Sequence, residues 1–194
     1  MKILKNIVLG LVVLIVAMAA IGLVALPRQS KVERSVVIQA PADVIFDQVN
    51  DLKKNEAWSP WKDPTMKITY SAVTEGLGAQ SSWTSKKMGN GTMTIEESVP
   101  ASSLKINLDF GSMGKAKALW SFASEGESVK VTEVMASDAG MNPAKRWMSL
   151  MSDKMVGPYF EKGLAALKEI SETRTAALKA EQAATQQAAA TPAE

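Results

Sequence analysis

Along most of this chain apolar side chains recur at every second position, and near its end the interval lengthens to three and four. In residues 31–39, Val32, Val36 and Ile38 share one side; Met66, Ile68 and Tyr70 then alternate with Lys67, Thr69 and Ser71. Trp83 centres the segment 80–86, and Met93, Ile95, Glu97 and Val99 share a face in 92–99. The same alternation groups Leu104, Ile106, Leu108 and Phe110, then Ala116, Ala118, Trp120 and Phe122, then Val129, Val131, Glu133 and Met135. Period-two patterning that is apolar on one side only predicts strands of an antiparallel sheet with one wet face. Turn residues separate the strands: Gly76-Leu77-Gly78, Asn90-Gly91, Pro100-Ala101, residues 111–114 and Glu125-Gly126. Asn90-Gly91 is the strongest hairpin signal, since a type I′ turn needs positive φ at both central positions.

Two segments carry helical spacing. Pro41 suits a first helical turn and Asp43 complements the helix dipole, ahead of a buried face of Ile45, Phe46, Val49 and Leu52. A short helix or turn over 52–57 leads into the rigid aromatic turn Trp58-Ser59-Pro60-Trp61. In residues 142–170, Trp147, Leu150, Met151, Met155, Tyr159, Phe160, Leu164, Leu167 and Ile170 define one helix face. Lys145, Arg146, Asp153, Lys168 and Glu169 fall on the solvated side, and Pro158 predicts a kink at Gly157-Pro158. So broad an apolar face needs a sheet wrapped over it, which makes the domain α+β.

The amino terminus has a different pattern. Residues 7–26 are apolar or Gly throughout, the length of a helix that crosses a bilayer core. A cleaved signal peptide is the rival reading, but its apolar region is about 7–15 residues and residues 24–26 make a poor cleavage site. The organisation expected is a tail over 1–6, a transmembrane anchor over 7–26, a linker over 27–30, a folded domain over 31–170, and an Ala/Gln-rich tail over 171–194 that is partly disordered. Lysines and arginines nearly balance across the anchor, so charge does not orient it. A short tail before an anchor stays in the cytoplasm, which places the domain on the extracytoplasmic (periplasmic) side.

Composition removes options. There is no Cys and no His, and hence no thiol nucleophile, no zinc-finger spacing and no Ser–His arrangement. The carboxylates show no metal-loop spacing, and no metal or cofactor is expected. Charge is close to balance at +2 and scattered, which argues against a nucleic-acid partner. Chemistry would have to run on carboxylates, Lys, Tyr or water.

The segments Val36-Val37-Ile38-Gln39-Ala40-Pro41-Ala42, Ala57-Trp58-Ser59-Pro60-Trp61, Met66-Lys67-Ile68-Thr69-Tyr70, Met93-Thr94-Ile95-Glu96-Glu97-Ser98, Lys154-Met155-Val156-Gly157 and Phe160-Glu161-Lys162-Gly163-Leu164 occur in this order. Over residues 31–170 the chain resembles the START-like SRPBCC superfamily, in its polyketide cyclase/dehydrase and lipid-transport branch. The resemblance implies a helix-grip fold, a curved seven-stranded antiparallel sheet around the long carboxy-terminal helix with an apolar cavity between them. Its members bind lipids or other hydrophobic molecules, and some catalyse cyclisation or dehydration without a shared catalytic set. Similar sequences are often aromatic where this one has Glu133.

On this basis Tyr70, Trp83, Ile95, Leu108, Trp120, Met135, Trp147, Met151 and Met155 are either cavity wall or plain core. Glu97 and Glu133 point inward by periodicity, so each needs a partner, water or a raised pKa, unless a bulge turns it out. Trp58 and Trp61 flank the expected cavity mouth or cap the sheet edge. Three readings stay open: a membrane-anchored domain that binds a hydrophobic small molecule or lipid; a cyclase/dehydratase-type enzyme pairing Glu97 with Tyr70 or Glu133; and a ligand-free protein-interaction module. Catalysis is the less expected of the first two, and oligomeric state is unassigned.

Overall fold

A computed structural model describes residues 1–190, with side chains through residue 188. The amino-terminal helix α1 (Lys2–Val24) leads within a few residues into β1 (Gln29–Ile38). Helices α2 (Ala42–Asn50) and α3 (Asn55–Trp58) follow, then β2 (Lys67–Tyr70), β3 (Gln80–Ser85), β4 (Gly89–Val99), β5 (Ser103–Asp109), β6 (Lys115–Glu125) and β7 (Ser128–Asp138). The chain closes with α4 (Pro143–Ser149) and α5 (Ser152–Ala190). The strands form one seven-stranded antiparallel sheet in the order β1-β7-β6-β5-β4-β3-β2. This is the α+β helix-grip arrangement that the alternation and the resemblance called for.

The inward residues of the strands line up in rows across the sheet because paired positions share a face. One row runs Arg34, Glu133, Trp120, Leu104; the next runs Val32, Met135, Ala118, Ile106, Ile95. Against them lie α2 and the middle of α5, and the core gathers at Ile45, Phe46, Val49, Trp58, Phe122, Leu164 and Leu167. Phe122 meets Phe46 edge-on at 5.5 Å between centroids, and Trp120 meets Trp58 at 5.7 Å. Fully burying aliphatic side chains such as Ile38, Ile45 and Leu167 contributes about 1.5–3 kcal/mol each.

Three local expectations change. The β3–β4 turn lies at residues 86–88, with Gly89 in the left-handed region at φ 70°, and Asn90 and Gly91 sit inside β4. Gly91 is needed for another reason: a Cβ there would stand 2.3 Å from the Trp83 ring that lies across it. The long helix breaks at Leu150-Met151, separating α4 from α5, and runs without interruption through Pro158. Leu150, Met151 and Met155 are more than half exposed, and Tyr159 is 36% exposed, so the buried stripe of this helix begins at Gly157 and Phe160. The helix also continues through most of the Ala/Gln-rich stretch, with residues 179–188 exposed; the expected disorder over Thr191–Glu194 lies outside the described residues.

Candidate functional site

The side of α5 that meets β1 is organised by a residue that periodicity does not single out. Arg34 stands beside Glu133 in the sheet, yet its guanidinium turns away to the helix. It donates to Asp153 at 2.8 and 3.1 Å, to Glu161 at 2.8 Å and to the Glu33 carbonyl at 2.9 Å. Asp153, Gly157 and Glu161 are four residues apart, so they stack on one helix face. A Cβ on Gly157 would stand 2.2 Å from Arg34 Nη2, and its absence lets the guanidinium lie across the helix between the carboxylates. The two carboxylates hold the Arg34 pKa up, and Arg34 holds the Asp153 carboxyl below its usual range.

Glu133 is left in that row without a partner. It is 9% exposed, makes no hydrogen bond or ion pair among the described residues, and burial pushes its carboxyl up to about 8. At neutral pH it is mainly the uncharged acid, a hydrogen-bond donor beside Trp120 of the next strand. Glu97 has the opposite fate. The β4–β5 register shifts between Ile95 and Glu97, and the bulge turns Glu97 to solvent. Ser98 takes the inward place opposite Leu104 and bonds Asn50 at 2.7 Å. Glu97 therefore lines nothing. Tyr70 directs its hydroxyl to the Glu56 carboxylate, and its pKa is raised by burial first and by that bond second. The pairing of Glu97 with Tyr70 or Glu133 is not assembled.

The apolar candidates divide by place. Ile95 and Trp120 are buried in the packed core. Tyr70, Trp83, Leu108 and Met135 are half-buried, as is Met93, toward the end of the sheet nearest α4. Trp58 is core rather than rim: its indole donates to the Gln48 carbonyl at 3.0 Å, and Pro60 seats on the bare Cα of Gly163. Trp61 is 38% exposed and stacks flat on Tyr159 at 4.3 Å.

Trp147, Met151 and Met155 do not face the sheet interior. Met155 lies two residues, about 200°, around α5 from the Asp153 face that meets Arg34, and Met151 sits in the break between α4 and α5. Trp147 is committed to α1: its Nε1 donates to the Met18 carbonyl at 3.0 Å, and Gly22, with no side chain, lets Pro143 and Trp147 approach closely. Arg146, expected in solvent, is 7% exposed. It donates to the Leu23 carbonyl at 2.6 Å, the Leu26 carbonyl at 3.3 Å and the Gly140 carbonyl at 2.9 Å. A cation on the last carbonyls of a helix also complements its dipole. The expected wall residues are thus spread over core, half-open sheet and outer helix face. A shallow cleft of about 260 Å³ lies between β1 and α5 beside Arg34 and Glu161. Among the described residues no three His, Cys, Asp or Glu side chains gather as a metal-ligating group.

A seven-stranded antiparallel sheet gripping one long helix defines the architectural class, and sequence narrows it. Residues 29–172 match the family described as polyketide cyclase / dehydrase and lipid transport, and the chain belongs to that family. It is 26% identical over 102 residues to the ribosome association toxin RatA of Pseudomonas aeruginosa, which covers 52% of this chain and 69% of that protein. Its fold is similar to a protein of unknown function from Staphylococcus aureus, with TM-score 0.59, 13% identity, and coverage of 76% of this chain and 96% of the other. A Thermus thermophilus protein is similar at TM-score 0.56 and 18% identity, covering 72% of this chain and 94% of that one.

Proposed function

We propose that this chain is a membrane-tethered domain that binds an apolar small molecule or lipid on the inner face of its sheet. One observation carries the reading. The inward side chains Tyr70, Trp83, Met93, Leu108 and Met135 stay half-buried toward one end of the sheet, whereas Phe160, Leu164 and Leu167 close the other. That leaves apolar surface half-open at one end of the sheet, the residue types that line small-molecule sites. The family's lipid-transport description agrees with it, and α1, long and apolar enough to cross a bilayer, supplies the tether. Glu133, uncharged at neutral pH, offers a donor to a ligand hydroxyl or carbonyl. The domain is assigned to the extracytoplasmic side, which protease digestion of spheroplasts checks: full protection of the domain reverses the orientation.

The test of binding is native mass spectrometry and lipid extraction of the full chain purified in detergent, followed by titration with an environment-sensitive apolar dye. A co-purifying apolar species and saturable dye binding, weakened in Leu108→Trp with folding retained, are expected. A ligand-free protein that binds no dye favours the interaction module. The enzyme reading keeps one supporting observation, the near-neutral titration of Glu133, and lacks a second group to share the proton.

A further inference from the structure

We propose that α4 and the first turns of α5 form a second membrane-contacting element, lying in the same bilayer interface that α1 enters. This rests on the reading of α1 as a tether. Three observations point to lipid as the occupant of this surface.

The first is depth. Trp147 bonds the carbonyl of Met18, six residues and so about 9 Å before the end of α1 at Val24. A helix spanning a core of about 30 Å carries that carbonyl at or below headgroup level. The indole docked on it is carried to bilayer depth, with its N–H satisfied by that carbonyl. Gly22 makes the approach possible, and Arg146 fastens α4 to the carbonyls of Leu23 and Leu26, so the depth of α4 is set by α1 itself.

The second is continuity. Met148 is 63% exposed, Leu150 and Met151 are 54%, Met155 is 56% and Met141 is 72%. Met148 belongs to α4, which packs on α1 through Pro143, Arg146 and Trp147, and the apolar surface of α1 is itself exposed along its length. Isolated exposed apolar residues need no explanation, but a cluster against an exposed apolar helix is one uncovered surface. Long flexible Met side chains suit irregular acyl packing.

The third is charge. Lys145 on α4, Lys154 on α5 and Lys86 in the turn before Gly89 make no ion pair among the described residues, whereas Lys87 acts on Asp63. Lysines beside an apolar face, half-buried at 145 and exposed at 154 and 86, match the pattern of an interfacial helix on anionic lipid. The turn at the other end of the sheet carries Glu125 and Glu127 instead.

The chain contains no Cys, so single labels can be placed without background. The full chain is reconstituted into phosphatidylcholine/phosphatidylglycerol vesicles with a nitroxide at Met148→Cys, Met151→Cys or Met155→Cys. Val13→Cys in α1 and Glu127→Cys in the β6–β7 turn serve as references. The expected result is an oxygen-over-nickel accessibility at 148, 151 and 155 several-fold above that at 127 and below that at 13. A membrane depth at 13 with aqueous values at 148, 151 and 155 overturns this inference and leaves the tether standing. Labels shielded from both oxygen and nickel reveal a protein partner or second copy on the patch and overturn it as well. An aqueous value at 13 removes the tether and this inference with it.

Discussion

Burial without a partner makes Glu133 the residue whose protonation and folding are most tightly linked. Its folded pKa of about 8 lies above the ordinary value of 4.5, so the folded state keeps a proton that the unfolded state releases. Its contribution is fully present below pH 4.5 and is lost as pH rises toward about 8, where the slope levels off. Denaturation of wild type and Glu133→Gln across pH 5–9 should show the wild type losing about a few kcal/mol relative to the variant. Parallel curves would mean that the carboxyl is solvated after all. Gly91 gives a second test at this scale. A methyl there meets the Trp83 ring and, at 2.8 Å, the Asp109 carbonyl, neither of which moves cheaply, so Gly91→Ala should cost about 1–3 kcal/mol by denaturant unfolding. Sequence alone made Gly91 a turn residue because Asn-Gly is a strong local signal. The reason for the glycine lies on the neighbouring strand, and no local pattern records it.

Among the elements, α4 shows what periodicity can and cannot tell. Helical spacing continues smoothly through residues 147–170, so the break at Leu150-Met151 has no Gly or Pro to announce it. It arises because the two halves answer to different neighbours, α4 to α1 and α5 to β1, α2 and α3. The strands were legible because each has one buried face, and every one of them forms; the bulge at Glu96 was not, since it depends on how β4 registers with β5. The Arg34 bracket was equally hidden, its members 119 and 127 residues apart. Replacing Gly22 with Leu tests the α1–α4 contact. The larger side chain should displace Pro143 and Trp147, red-shift the Trp emission and speed proteolysis within residues 139–152, with the rest of the domain intact. Unchanged emission and cleavage would show that α4 docks independently of α1.

At the scale of the molecule, the family match ends at residue 172, and the last buried side chain of α5 is Thr175. Deleting the chain from residue 180 onward should therefore leave the unfolding midpoint unchanged, since the described residues removed, 180–188, are exposed. A clear drop would mean that the exposed turns of α5 brace the domain. The helix-grip architecture was readable from alternation plus one amphipathic helix. The arrangement of the candidate site was not, because which inward side chains stay half-open depends on where α5 crosses the sheet.

Only residues 25–28 separate α1 from β1, and both ends of that short link are tied, by Arg146 to the Leu26 carbonyl and by Arg28 to Asp138 at 2.9 Å. A domain held this way has little freedom to swivel against α1. On the proposed reading it samples the lipid leaflet beneath it and almost nothing of the bulk solution. Its encounters are then governed by lateral diffusion and by surface density, so occupancy should follow the mole fraction of ligand in the bilayer rather than its molar concentration in water.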